Sequence, residues 1–241
     1  MNFSFWTVVI AATALVLSQL PPIRDWFKRP QLDVEVYRRL GLTHRIGNPN
    51  ATLHLVLINT GGRIFRVKDL SLRFFRDGNM LFKLPAQNYI PQSATPSMPL
   101  IFTPFTLRPG EEWANQVNFL NFFDRAEDRR YRAMESAIRT NIHSKAPAAP
   151  EALVEADLQY VEPLMEFFEG KFDWLEGEYR IELSVNADKT SCEKSYRFTI
   201  FESQSEDLRG LADHYKYGSG VYWDREDIVR SYGFELSEDD I

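Results

Sequence analysis

Between positions 32 and 84 the chain changes polarity every second residue. Leu32, Val34 and Val36 alternate with charged neighbours, and the pattern resumes through residues 52–59, 67–75 and 80–84. Period-two alternation places apolar side chains on one face of a strand, so the pattern predicts half-buried β-structure and not helix. Thr60-Gly61-Gly62 and Asp77-Gly78-Asn79 separate these runs. Glycine supplies the positive φ that tight turns require, so the stretch reads as strand, turn, strand, turn, strand.

The alternation continues with interruptions. Residues 91–99 are rich in proline and are expected to form a loop, and Pro104 marks the following strand (100–107) as an edge or a bulge. Residues 113–120 predict a further strand, and two more, carrying Tyr179, Ile181, Leu183 and Val185 and then Cys192 onward, form a hairpin around 187–191. Residues 121–170 break the rhythm. Asp124 and Glu127 have capping-box spacing, and Tyr131, Met134, Ile138 and Ile142 share one helical face. After the Ala-Pro stretch at 145–152, residues 162–170 predict a second, shorter helix with Pro163 in its first turn. Two short helices are expected after Glu202, over 203–215 and 224–236, with the last five residues loose.

The segments Leu57-Ile58-Asn59-Thr60-Gly61, Leu107-Arg108-Pro109-Gly110-Glu111 and Gly177-Glu178-Tyr179-Arg180-Ile181 resemble those of immunoglobulin-like and fibronectin-like β-sandwiches. The likeness is one of fold, covers 31–202 apart from the interruption, and points to no particular family. It implies a mainly β, antiparallel sandwich that binds or scaffolds more often than it catalyses.

Ahead of this body lie 23 residues without a charged side chain; Arg24, Lys28 and Arg29 then follow closely. As a helix the first 23 residues would be roughly 34 Å long, enough for a hydrocarbon core of about 30 Å. Trp6 and Trp26 sit where interfacial rings gather, and Pro21-Pro22 ends the helix. A cleaved signal would need a basic start and a small-residue cleavage site beyond the apolar run, and neither is present. Residues 1–23 are therefore expected to be a retained membrane anchor, with 24–30 as a basic juxtamembrane linker. Positive charges on the C-terminal side place the body in the cytoplasm and the N-terminus outside.

The net charge of −6 is unevenly distributed. Residues 202–241 hold eleven acidic and four basic side chains, leaving the remainder close to neutral, so a broad nucleic-acid surface is not expected. The single cysteine, Cys192, excludes an intrachain disulfide. His44, His54, His143 and His214 lack metal-ligand spacing, and no nucleotide loop or nucleophile elbow is present. No catalytic residue, cofactor or metal is therefore assigned.

The remaining candidates are for contact. Tyr215, Tyr217, Tyr222 and Trp223 surround Gly218 and Gly220, either as a partner surface or as pins holding the acidic C-terminal region (203–241) to the body. The expected function is that of a single-pass, membrane-tethered, non-catalytic scaffold that meets the bilayer through 1–23 and a protein partner through its body. An extracytoplasmic envelope-assembly or adhesion module is the alternative. An enzyme whose residues converge only in three dimensions is a second.

Overall fold

The computed structural model describes residues 3–19, 29–92, 98–145 and 153–239. The body is mainly antiparallel β-structure, a sandwich or near-barrel. Its strands are β1 (Leu32–Arg45), β2 (Asn48–Asn59), β3 (Phe65–Arg76), β4 (Asn79–Pro91), β5 (Leu100–Ile101), β6 (Phe105–Leu107), β7 (Glu112–Leu120), β8 (Gly177–Ala187), β9 (Ser191–Ile200), β10 (Tyr232–Glu235) and β11 (Ser237–Glu238). They follow the order β10-β1-β2-β7-β4-β3-β8-β9-β11, with β5 beside β4 and β6 beside β3.

Two segments draw this path into a closed shape. Residues 79–85 of β4 pair with β3, and residues 86–91 pair with β7, so one strand serves both halves of the body. The C-terminal segment does the same on the other side. Its β10 pairs with residues 39–42 of β1, and its β11 pairs with Tyr196 and Arg197 of β9. Leu236, between them, is buried and donates its amide to the Arg38 carbonyl at 3.0 Å.

Alternation decides which side chains fill the interior. Along β2, Ala51, Leu53, Leu55 and Leu57 point inward without a break. In β1 the register shifts between Val36 and Leu40, which leaves Tyr37, Arg38 and Arg39 exposed before the inward rhythm returns at Leu40. Each fully buried Leu or Val is worth roughly 1.5–3 kcal/mol, so β2 alone anchors much of the core.

The helices are α1 (Phe3–Gln19), α2 (Arg125–Lys145), α3 (Leu158–Glu169) and α4 (Glu202–Gly210), with a 3₁₀ turn at Leu211–Tyr217. Tyr131, Met134, Ile138 and Ile142 are buried along α2, as their spacing predicts. Asp124 Oδ1 accepts the amides of Ala126 (2.7 Å) and Glu127 (2.8 Å), and Glu127 Oε2 accepts the Asp124 amide at 3.1 Å. The capping box is therefore complete.

Several expectations are corrected. The stretch 100–107 is two short strands, because Pro104 removes a ladder donor and the pieces join different partners. Pro163 lies inside α3, which starts at Leu158, and not in its first turn. No helix forms over 224–236. Phe234 and Leu236 are both buried, and this period-two pair is taken up by the sheet as β10 and β11. Residues 237–239 are thus tied to β9, and 240–241 lie outside the described residues.

Helix α1 has 17 residues, roughly 26 Å of helix. Among the described residues, no helix is long and apolar enough to cross a membrane. The expected membrane anchor is therefore not shown; its positions 1–2 and 20–23 lie outside the described residues.

Candidate functional site

Helices α2, α3 and α4 converge on the end of the β-body formed by the turn between β1 and β2. Gly47, at φ +79°, packs so tightly there that an added Cβ would lie 2.5 Å from the Phe168 carbonyl oxygen. Trp174 is fully buried and donates Nε1–H to the Thr43 carbonyl at 2.7 Å; its own carbonyl accepts the Ser205 hydroxyl at 2.8 Å. This indole meets Phe74 and Phe82 edge-on, at centroid distances of 5.3 and 5.4 Å. The side chain thus joins β1, β3 and β4, and the backbone of the same residue holds α4.

His44 lies in the same region. Its Nε2 is 2.8 Å from the Leu208 carbonyl, which can only accept, so Nε2 carries the proton. Its Nδ1 accepts the Gly47 amide at 3.1 Å and stands 3.4 Å from the Tyr215 hydroxyl. Burial, with the nearby Arg230 cation, pushes its pKa down to about 4, against the contribution of the Leu208 hydrogen bond. His44, His214 and Arg230 line a cavity of about 20 Å³. Arg230 donates to Ser219 Oγ at 2.8 Å and pairs with Asp224 at 2.8 Å.

Residues 215–223 bind the C-terminal region to the two inserted helices. Tyr215 is 2% exposed and meets Phe168 edge-on at 5.9 Å, so it supports the segment from beneath. The Tyr217 hydroxyl donates to Glu155 at 2.8 Å, Lys216 pairs with the same carboxylate at 2.8 Å, and the Ala156 amide donates to the Lys216 carbonyl at 2.8 Å. Tyr222 lies beneath the Arg139 guanidinium, 5.0 Å from its ring centroid. The Tyr131 hydroxyl donates to the Val221 carbonyl at 2.6 Å. Trp223 is 38% exposed, the most open of the four aromatics, and donates Nε1–H to the Tyr217 carbonyl at 2.9 Å. The insertion and the aromatic segment form one face. Leu153 and Leu158, both exposed, flank the Glu155–Tyr217 link on that face.

A cleft of about 500 Å³ opens where β2 begins and α2 follows β7, lined among others by Asn48, Asn50, Asn88, Asn121, Phe122 and Arg125. Most of its amides serve the fold. Asn48 donates to the Asn121 carbonyl at 2.6 Å, Asn121 to the Lys83 carbonyl at 2.8 Å, and Asn118 to Asn88 Oδ1 at 2.5 Å. Neutral amides beside the exposed Phe122 ring can recognise a polar ligand, but they offer no group that titrates near neutrality. These asparagines are scattered through the sequence, and no spacing rule could have gathered them.

Among the described residues, no group of three or more His, Cys, Asp or Glu side chains could hold a metal ion. The Cys192 thiol is pushed up by burial, away from the thiolate form. Of the membrane-directed residues, Trp6 is 54% exposed on α1 and Arg29 is exposed, while Arg24, Trp26 and Lys28 lie outside the described residues.

No protein-family model matches this chain, and a search of curated proteins returned no significant match.

Proposed function

We propose that the chain is a membrane-tethered, non-catalytic interaction protein whose β-body, on the cytoplasmic side, presents the fused insertion and C-terminal face to a protein partner. The observation that carries the reading is the pairing of an uncharged helix with a knitted face on an otherwise self-contained body. Val8 and Ile10 of α1 are 67% and 66% exposed, and apolar residues occupy its whole circumference. A helix apolar all round is stable where lipid or protein surrounds it. With the flanking uncharged residues at 1–2 and 20–23, the segment reaches spanning length, and the following Arg24, Lys28 and Arg29 favour a cytoplasmic body.

At the other extreme of the chain, Trp223, Leu153 and Leu158 stand exposed over a rigid support of ion pairs and buried aromatics. A tryptophan held by its own indole hydrogen bond loses little freedom on contact, which suits it as an anchor. Tethering raises local concentration, so a modest contact suffices. Two sheets sharing β4 fit the expected immunoglobulin-like sandwich, and such bodies serve recognition more often than chemistry.

A photocrosslinking residue at position 223, compared with one at Tyr37 on the exposed β1 bulge, tests this reading in cells. Discrete protein adducts from 223 and none from 37 are expected. Adducts from neither position, or equally from both, would overturn the proposed contact face.

A further inference from the structure

The end of the β-body opposite the helices carries a different chemistry. It is built from the start of β1 and the loops at 60–64, 108–111 and 188–190. Residues 29–31 are stitched to it: the Thr60 and Gly61 amides donate to the Gln31 carbonyl at 3.0 and 3.3 Å, and the Gly62 amide to the Arg29 carbonyl at 3.4 Å. The segment arriving from α1 is therefore held against this end. The helical end lies a strand length beyond, roughly 45 Å at about 3.3 Å per residue.

Arg29, Arg63, Arg66, Arg108 and Lys189 are all exposed here. Among the described residues none of the five forms an ion pair, whereas at the helical end Lys145, Lys171, Arg209 and Lys216 are each paired with a carboxylate. Four acids share this end, three of them turned onto backbone: Glu111 Oε2 accepts the Arg108 amide at 2.7 Å, Asp188 Oδ1 the Arg66 amide at 2.9 Å and Asp33 Oδ1 the Val34 amide at 2.8 Å, while Glu112 is exposed at the start of β7. Lys68 and Asp69 follow on β3 and offset one another. Between the cations Ile64 is 50% exposed, and its carbonyl accepts Lys189 Nζ at 3.0 Å.

From this arrangement we infer that the loop end formed by residues 60–64, 108–111 and 188–190 is a second membrane contact, which rests on anionic lipid headgroups with Ile64 dipping among them. The inference rests on the tethered reading above. Five cations that form no ion pair among the described residues surround one apolar side chain on the end nearest the tether, and each cation near an anionic leaflet raises its occupancy about fivefold. Docking would hold the body upright, with the helical face directed away from the membrane.

The test uses the full chain with Ile64→Cys in a Cys192→Ser background, labelled at position 64 with an environment-sensitive fluorophore. The protein is reconstituted into vesicles of zwitterionic lipid, or of the same lipid with a third of it anionic, each containing a headgroup-linked quencher. Alkali-resistant flotation with both vesicles is expected, with strong quenching only in the anionic ones. Quenching should be lost at about 0.5 M salt, where screening confines electrostatics to a few ångströms. It should also be lost on combining Arg63→Glu with Lys189→Glu, a pair of exposed changes checked by an unchanged melting temperature. Equal quenching in both lipids, or quenching indifferent to salt and charge reversal, would overturn the second contact while leaving the tether intact. Failure to float with either vesicle would overturn the tether, and this contact with it.

Discussion

The two ends of the β-body differ in what covers them. At the end holding the β1–β2 turn, two inserted helices, α4 and the 3₁₀ turn supply aromatic packing, hydrogen bonds and ion pairs. At the other end, short loops expose five cations that form no ion pair among the described residues, with Ile64 between them. The covered end has met its own protein. The bare end has a composition suited to something outside the chain, and the stitched segment 29–31 brings the chain from α1 to that end.

The sharpest way to break this comparison is to remove a buried group at one end and an exposed one at the other. Trp174→Ala deletes an indole that joins β1, β3 and β4 and should cost about 3–5 kcal/mol in urea unfolding. Ile64→Ser should change stability by no more than about 0.5 kcal/mol. Similar losses at both sites would mean that the bare end also carries the fold.

Acid should act through the covered end. His44 is neutral in the folded protein with its pKa near 4, while in the unfolded chain it titrates near 6.5. The unfolded state therefore binds the proton first. Stability from His44 is fully present above about pH 6.5, falls as pH drops toward 4, and the loss amounts to about 3 kcal/mol. Melting temperatures measured across this window should decline, and His44→Gln should flatten the part of the decline that belongs to this site. An identical slope in the variant would remove His44 from the account.

Glycine substitutions sharpen the contrast on a smaller scale. Gly47 and Gly78 both have positive φ, +79° and +82°, but a Cβ at 47 would strike the α3 backbone while one at 78 meets nothing within 4 Å. Gly78→Ala should cost about 1 kcal/mol from backbone strain alone. Gly47→Ala should cost at least twice as much by chemical denaturation. The smallest effect is expected for Arg108→Ala, within about 0.5 kcal/mol, because the side chain has no ion-pair partner among the described residues.

Much of the β-body could be read directly. Strict alternation through Leu53, Leu55 and Leu57, and turns at Asp77-Gly78, are local signals that tertiary packing had no reason to overrule. The α2 face was legible for the same reason, since Tyr131, Met134, Ile138 and Ile142 repeat at helical spacing. The C-terminal strands were misread because Asp224, Arg225, Glu226 and Asp227 suggested a charged helix start, while only two inward residues, Phe234 and Leu236, announced the sheet. Closure of the body depends on pairing across nearly two hundred residues, between β1 and β10, and no short window contains it. The His44 environment was equally hidden. Its partners Leu208, Tyr215 and Arg230 come from a distant segment, and the histidine itself sits in an ordinary strand pattern.

The central claim is that α1 with its flanks spans a membrane and leaves the body in the cytoplasm. Protease accessibility of a C-terminal tag tests it most directly, with membranes sedimented before and after opening the cell membrane. The account predicts a tag that sediments with membranes, is protected in intact cells, and is digested once the membrane is breached. A tag digested in intact cells would place the body outside and favour the envelope-assembly reading. A tag recovered in the soluble fraction without detergent would contradict the tether itself.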